Sequence, residues 1–322
     1  MDKVKLILSK IFNKKMIALY IAVLLVTLVM YQVITSVMLC NMVIKDGSFI
    51  KSAVGQDIIK GDFASAENKK WLDGTAEDIY IDNDDGHKLH ALSVKNRNTS
   101  HSYIIIYHPV TLTSLDMADY AYHFADIGFN VILPDLRGCG QSEYADLSFG
   151  ATDTKDIILW INKIVSEDKE SSIILFGVGA GGSAVLSVCD EELPSNVKAI
   201  IEDSGYDSLK DAFKHNIEKY YNKKSFPALL IADKYVESKY GWSINDVCLR
   251  DQVHNSKLPI LFIHGGDDTV IPVSHSNDMY EVCPIPGTDH LLISGAAHCR
   301  PMQTNTEKYW RIVDEFIVGQ LG

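Results

Sequence analysis

Residues 171–190 read SSIILFGVGAGGSAVLSVCD. The stretch Ser172–Phe176 is a short apolar run of the kind a buried strand needs, and a helical stretch over 180–190 follows it across a glycine-rich turn. The same alternation extends to both sides. Strand patterns are expected over Tyr103–Tyr107, Asn130–Pro134, Ala199–Glu202, Ile260–His264 and His290–Ile293. Helical patterns lie near 115–127, 152–165, 273–282 and 306–318. Short, uniformly apolar strands separated by helices indicate a parallel sheet covered on both faces. Ahead of them, Glu77–Val94 alternates apolar and polar residues on both sides of Asp84-Asp85-Gly86, the pattern of a hairpin with an Asp-Gly turn. The expected fold class is α/β, with a mostly parallel eight-stranded sheet.

Residues 205–256 break this rhythm. They are rich in Tyr and Lys and read as helices and loops without a strand. An insertion before the seventh strand overhangs the C-terminal edge of the sheet, where ligands bind in open α/β folds. We read it as a helical cap. Its aromatic residues Tyr220, Tyr221, Phe226 and Trp242 either line a pocket or pack the cap helices together.

The N-terminal part differs in kind. Residues 16–39 are apolar apart from Thr, Ser and one Gln, enough for a helix of about 20 residues to cross a bilayer. The run is longer than a signal-peptide core and ends at Val37-Met38-Leu39-Cys40 without a small-residue cleavage site. The expected organisation is a tail over 1–15, an anchor over 16–44, a linker and leading helix over 45–75, and the α/β domain over 76–320. Lysines precede the span, so the positive-inside rule places residues 1–15 in the cytoplasm and the domain outside the cell membrane.

Net charge is −12; residues 1–44 carry five lysines and one acid, so the remainder has 25 basic and 41 acidic residues. A domain this acidic, with no basic stripe, excludes nucleic acid as a partner. The six cysteines show no CxxC spacing, and Cys40 falls in the span. The odd number left in the domain does not suit a disulfide framework. Eight histidines away from the motifs below show no metal-ligand spacing; His87 and His90, three apart, would fall on opposite sides of a strand. No metal or other cofactor is expected. Asn98-Thr99-Ser100 matches a glycosylation sequon and reads as an ordinary polar turn.

Four segments occur in a telling order: Asp135-Leu136-Arg137-Gly138-Cys139-Gly140-Gln141-Ser142, Gly177-Val178-Gly179-Ala180-Gly181, His264-Gly265-Gly266-Asp267-Asp268-Thr269-Val270-Ile271-Pro272, and Gly295-Ala296-Ala297-His298. Together they resemble the α/β-hydrolase superfamily. The chain looks similar to its membrane-anchored bacterial members related to serine aminopeptidases and lysophospholipase-like enzymes. Ile200-Ile201-Glu202-Asp203-Ser204 and Glu307-Lys308-Tyr309 look like that group too. The resemblance covers roughly residues 76–320. It implies a nucleophile elbow at Gly179, a triad acid at Asp268 and a triad base at His298, in the family's chain order.

At the elbow the resemblance implies a hydroxyl, thiol or carboxylate, yet Gly179 has no side chain to attack a substrate. Ser183 lies one helical turn further on and suits helix packing. Cys139 and Cys299 fall near the expected site mouth, as small apolar filler or as substitute thiols. Asp267 is expected to cap its loop and point elsewhere. The resemblance also implies oxyanion donors at the backbone N–H groups of Val110 and Ala180. His108-Pro109-Val110 replaces the family's usual H-G-x, and Pro109 restricts the loop. Departures in two separate segments read as drift after loss of acyl transfer. Asp268 and His298 are then either a retained buried pair or a base acting on water. Two functions follow as expectations. One is a surface hydrolase of esters, thioesters or small amides with its activity lost or strongly reduced. The other is a pseudohydrolase that binds a small acyl or peptide ligand, or a protein partner.

Overall fold

A computed structural model describes residues 14–45, 63–96, 100–110, 112–143, 146–222 and 224–321. The tail, most of the linker and the sequon's Asn98 and Thr99 fall outside them. The first helix, α1 (Lys14–Ile44), is long and apolar enough to cross a membrane, and its most apolar stretch is not buried by the rest of the chain. The leading helix α2 (Ala66–Thr75) begins where Ser65 accepts from the N–H of Asn68, the N-cap geometry that satisfies a free helical donor.

Eight strands follow: β1 (Glu77–Asp82), β2 (Lys88–Val94), β3 (Ser102–Tyr107), β4 (Asn130–Pro134), β5 (Ser172–Val178), β6 (Val197–Asp203), β7 (Ile260–Gly265) and β8 (Asp289–Ile293). They form one sheet in the order β1-β2-β4-β3-β5-β6-β7-β8. β1 and β2 run antiparallel, β2 joins β4 antiparallel, and every later pairing is parallel. Gly86 makes the hairpin turn at φ +79°, in the left-handed region, which glycine enters without a Cβ penalty. His87 lies in that turn before β2, so strand alternation does not govern its direction.

Side-chain alternation along β3 separates two cores. Ile104 and Ile106 join Phe176, Ile201 and Ile263 under α3 (Ala118–Asp126) and the last helix, α10 (Thr306–Leu321). Ile105 faces the other way and joins Leu175, Ile200 and Phe262 beneath Trp160 of α4 (Asp153–Glu167) and Val185 of α5 (Ala180–Leu186). Burial on both faces is why these strands read as continuous apolar runs. Helix α5 ends sooner than the sequence pattern suggests. There the Ser187 hydroxyl donates to the carbonyl of Ala184 at 2.7 Å and accepts from Thr154 at 2.8 Å, a local bond that competes with further helix.

Between β6 and β7 the cap is built from α6 (Leu209–Tyr221), α7 (Ala228–Tyr240) and α8 (Leu249–His254), with α9 (Ser274–Val282) following β7. A third cluster fills the space beneath it, from Leu147, Phe149, Tyr206, Val236, Val270 and Ile271 together with Cys40 and Ile44 of α1. Tyr220 and Trp242 pack against this cluster. Phe226 does not pack against it. It lies 73% exposed between α6 and α7, where no helix face covers it.

The two ends of the cap are fastened together. Leu249 N donates to Asp207 O at 2.6 Å and Leu209 N to Val247 O at 3.0 Å. The buried Asp207 carboxylate is gripped by Arg250 from the end of the cap and by Nδ1 of His275 from α9. Burial works to raise the Asp207 carboxyl, but the bonds to His275 and Arg250 prevail and hold it below the usual range. Asp207→Asn removes the charge that both partners address. It should lower unfolding free energy by about 2–3 kcal/mol in urea titrations and speed proteolysis within 209–254.

Candidate functional site

The turn from β5 into α5 is tight. Gly179 occupies it at φ +58° and ψ −122°, a conformation an L side chain enters only with strain. Its N–H donates to Asp203 O at 2.7 Å. The flanks are equally constrained. A Cβ on Gly177 would stand 2.1 Å from Gly181 O, and one on Gly181 would stand 2.3 Å from Tyr107 O. Above the turn, a Cβ on Gly179 would meet Cys299 Sγ at 2.9 Å and Pro109 Cβ at 3.4 Å. Cys299 is the chain neighbour of His298, so the histidine loop and the elbow meet at this contact.

His298 Nδ1 donates to Asp268 Oδ2 at 2.7 Å. Asp268 Oδ1 accepts from the N–H groups of Val270 and Ile271, each at 2.9 Å. A second ring shares Oδ2, because His264 Nε2 lies 3.2 Å away while donating to Ile271 O at 2.9 Å. Burial alone would raise the Asp268 carboxyl; the His298 and His264 rings outweigh it and hold the carboxyl far below the usual carboxylate range. Among the described residues His298 Nε2 has no hydrogen-bond partner. The arrangement fixes a tautomer with the proton on Nδ1, leaving Nε2 able to accept one.

The acids beneath this pair belong to the family-like segment Ile200–Ser204, which sequence reading gave no role at the site. Glu202 and Asp203 close β6 and are fully buried. Burial pushes the Glu202 carboxyl up to about 7, against the pull of His264, and that of Asp203 up to about 6, against bonds from Ser204 and Tyr309. Glu202 Oε1 accepts from the N–H of Gly205. Glu202 Oε2 and His264 Nδ1 are both buried without a hydrogen-bond partner among the described residues. Two acids directly after the apolar run Ala199–Ile201 were the available signal.

The remaining candidates fall as follows. Val110 and Ala180 border a cavity of about 10 Å³ with Leu136, Arg137, Leu147 and Phe149, room for about one water. His108 is buried and pinned, with Nδ1 donating to Pro109 O at 2.8 Å and Nε2 accepting from Leu136 N at 3.0 Å. Burial holds its pKa below the usual imidazole value. Ser183 is a staple, accepting from Tyr206 N at 2.8 Å and donating to Tyr206 O at 3.2 Å. Asp267 is exposed. Asp135 is buried and ties its own turn together through Ser114 N, Gln141 N and His90. Cys139 is half-buried against the cap cluster, and all six cysteines are unbridged. Cys299 is fully buried; burial, with Asp203 and Asp268 nearby, drives its thiol pKa far above the usual value.

The eight-stranded order, the sharp glycine turn after β5, and the Asp268–His298 pair carried by the loops after β7 and β8 define the class: the chain has the α/β-hydrolase fold. More narrowly, residues 98–223 match the family model described as serine aminopeptidase, S33. The YqkD protein of Bacillus subtilis (strain 168) is 27% identical over 278 residues, covering 84% of this chain and 88% of that protein. Among solved structures, the Pyrococcus furiosus esterase Pf2001 superposes with a TM-score of 0.65 at 20% identity, covering 79% of this chain and 96% of that one. A Pyrococcus horikoshii acylaminoacyl peptidase gives a TM-score of 0.56 at 17% identity, covering 77% of this chain and 42% of that one.

Two outcomes test this chemistry. A raised carboxyl pKa means the folded state holds the proton that the unfolded chain releases. Stability tied to Glu202 is therefore present below about 4.5 and lost as pH rises toward about 7. Glu202→Gln should flatten the fall in unfolding free energy across that window, read by urea titrations at a series of pH values. In the native wild type at pH 8, iodoacetamide should leave Cys299 unmodified by peptide mapping while alkylating the half-buried Cys248 and Cys283.

Proposed function

We propose that this chain is a membrane-anchored serine-hydrolase relative that has given up acyl-enzyme turnover. In this reading it works by binding a small acyl or peptide ligand, or a protein partner, at the old site. The observation that carries it is the packing over Gly179: a side chain there would collide with Cys299 Sγ, with Pro109 Cβ already at contact distance. Loss of the attacking group in triad enzymes lowers turnover by about 10⁶-fold. A thiol as buried as Cys299, with carboxylates around it, does not supply a thiolate in its place.

The pair Asp268–His298 supports a retained polar pocket, with Nε2 the group that meets a ligand. The cavity beside Val110 and Ala180 holds about one water. The S33 match, the esterase-like fold and the acylaminoacyl peptidase likeness support acyl or peptidyl compounds as the ligand class. A second reading, slow hydrolysis with His298 as base for water, is favoured by that same free Nε2.

Anchoring rests on α1, and the lysines before it support a cytoplasmic N-terminus with the domain outside.

A fluorophosphonate probe on the full chain in detergent tests the chemistry. Neither the wild type nor Gly179→Ser should label, because the new side chain has no room. Gly179→Ser combined with Cys299→Ala should label and hydrolyse a short-chain nitrophenyl ester above the single variant. Strong wild-type labelling at any serine of the domain would sink the reading. Faint wild-type esterase activity abolished by His298→Ala would favour the second.

A further inference from the structure

One face of α1 is covered only towards its end. Gln32 is half-buried, and Ser36, Cys40 and Ile44 are buried, a stripe at four-residue spacing. The stripe is about 18 Å long at 1.5 Å per residue. Helix α7 packs along α1 and has 13 residues, about 20 Å. The two lengths are similar.

Polar contacts tie the second half of α7 to the end of α1. Asn41 Oδ1 accepts from Tyr235 Oη at 3.0 Å, Lys239 Nζ at 3.1 Å and Tyr240 Oη at 3.2 Å. All three donors lie in the second half of α7, and Asn41 lies near the end of α1. Beyond it, the carbonyl of Ile44 accepts from Leu147 N at 2.7 Å. With α7 packed against α1 and its second half at Asn41, its first turn points towards Gln32–Ser36. Those residues belong to the apolar run 16–39.

The composition of α7 follows that axis. Residues 226–232, FPALLIA, carry no charge, whereas 233–239, DKYVESK, carry four. Phe226 and Leu230, four apart, are 73% and 50% exposed. Lys224, exposed, stands just before them. An exposed apolar edge with a basic neighbour, at the depth of a membrane span, fits the headgroup–acyl boundary of a bilayer.

We propose that residues 226–232 of the cap dock into the phospholipid bilayer beside α1, so that the cap is itself a membrane-contacting element. This rests on reading α1 as a membrane span.

The test uses the full chain in phosphatidylcholine vesicles with and without brominated acyl chains. Phe226→Trp and Leu230→Trp are compared with Tyr122→Trp and Val318→Trp, exposed positions on α3 and α10. Flotation of the vesicles reads the span separately. The added emission at 226 and 230 should shift to the blue and be lost in brominated lipid, while that at 122 and 318 should not change. If the chain floats but 226 and 230 are quenched no more than the controls, the cap proposal is overturned and the span stands. A blue shift without bromine quenching means a second copy covers the edge, which also overturns it. A chain that does not float removes the span and the cap proposal with it.

Discussion

How closely α5 can approach the sheet sets the geometry of everything above it. Gly181 leaves only 2.3 Å between its missing Cβ and the carbonyl of Tyr107, and Gly177 only 2.1 Å to Gly181 O. Any side chain at either place would lift the helix and open the turn. Because the helix sits down fully, Gly179 is forced to φ +58° at the crest. The loops after β3 and β8 then close over it, bringing Pro109 and Cys299 into contact range. In an enzyme of this class such a crest holds a strained attacking residue. Here glycine occupies the crest without that strain, and Cys299 Sγ lies where a Cβ would extend.

Beneath the crest lies an unusual density of buried charge. Asp268 is ionised and shared by two imidazoles, while Glu202 and Asp203 hold their protons to unusually high pH. Burying charge is unfavourable unless it is paired. The site therefore keeps one well-bonded anion and raises the carboxyl pKa values of the two acids beside it. The carboxyl oxygen of Glu202 and the ring nitrogen of His264 that lack partners mark where the cluster is least well satisfied.

Much of the architecture was legible in the sequence because the strands are buried on both faces. Runs such as IILF and LFIH announce themselves by composition, and Asp-Gly at 85–86 announces the hairpin. The acid–histidine contact was legible because two short motifs place those residues after successive parallel strands, whose C-terminal ends share one edge. Other features depend on three-dimensional packing. That the Cys299 side chain lies over Gly179 cannot be read from residues 120 apart. The end of α5 at Leu186 depends on a hydroxyl bond between helices. Phe226 was read as an interior aromatic because composition does not say which side of a helical hairpin is covered.

The joint between α1 and the cap bears on how the domain can move. Asn41 is held by three donors and Ile44 is sealed in the core beneath the cap, with continuous helix leading up to them. Such a connection has no swivel. A change in the tilt of α1 is carried directly into α7, and the cap cannot rise without stripping those bonds. The protein is in this respect a lever with its fulcrum at Asn41, and lateral forces along the first helix are felt at the lid of the site.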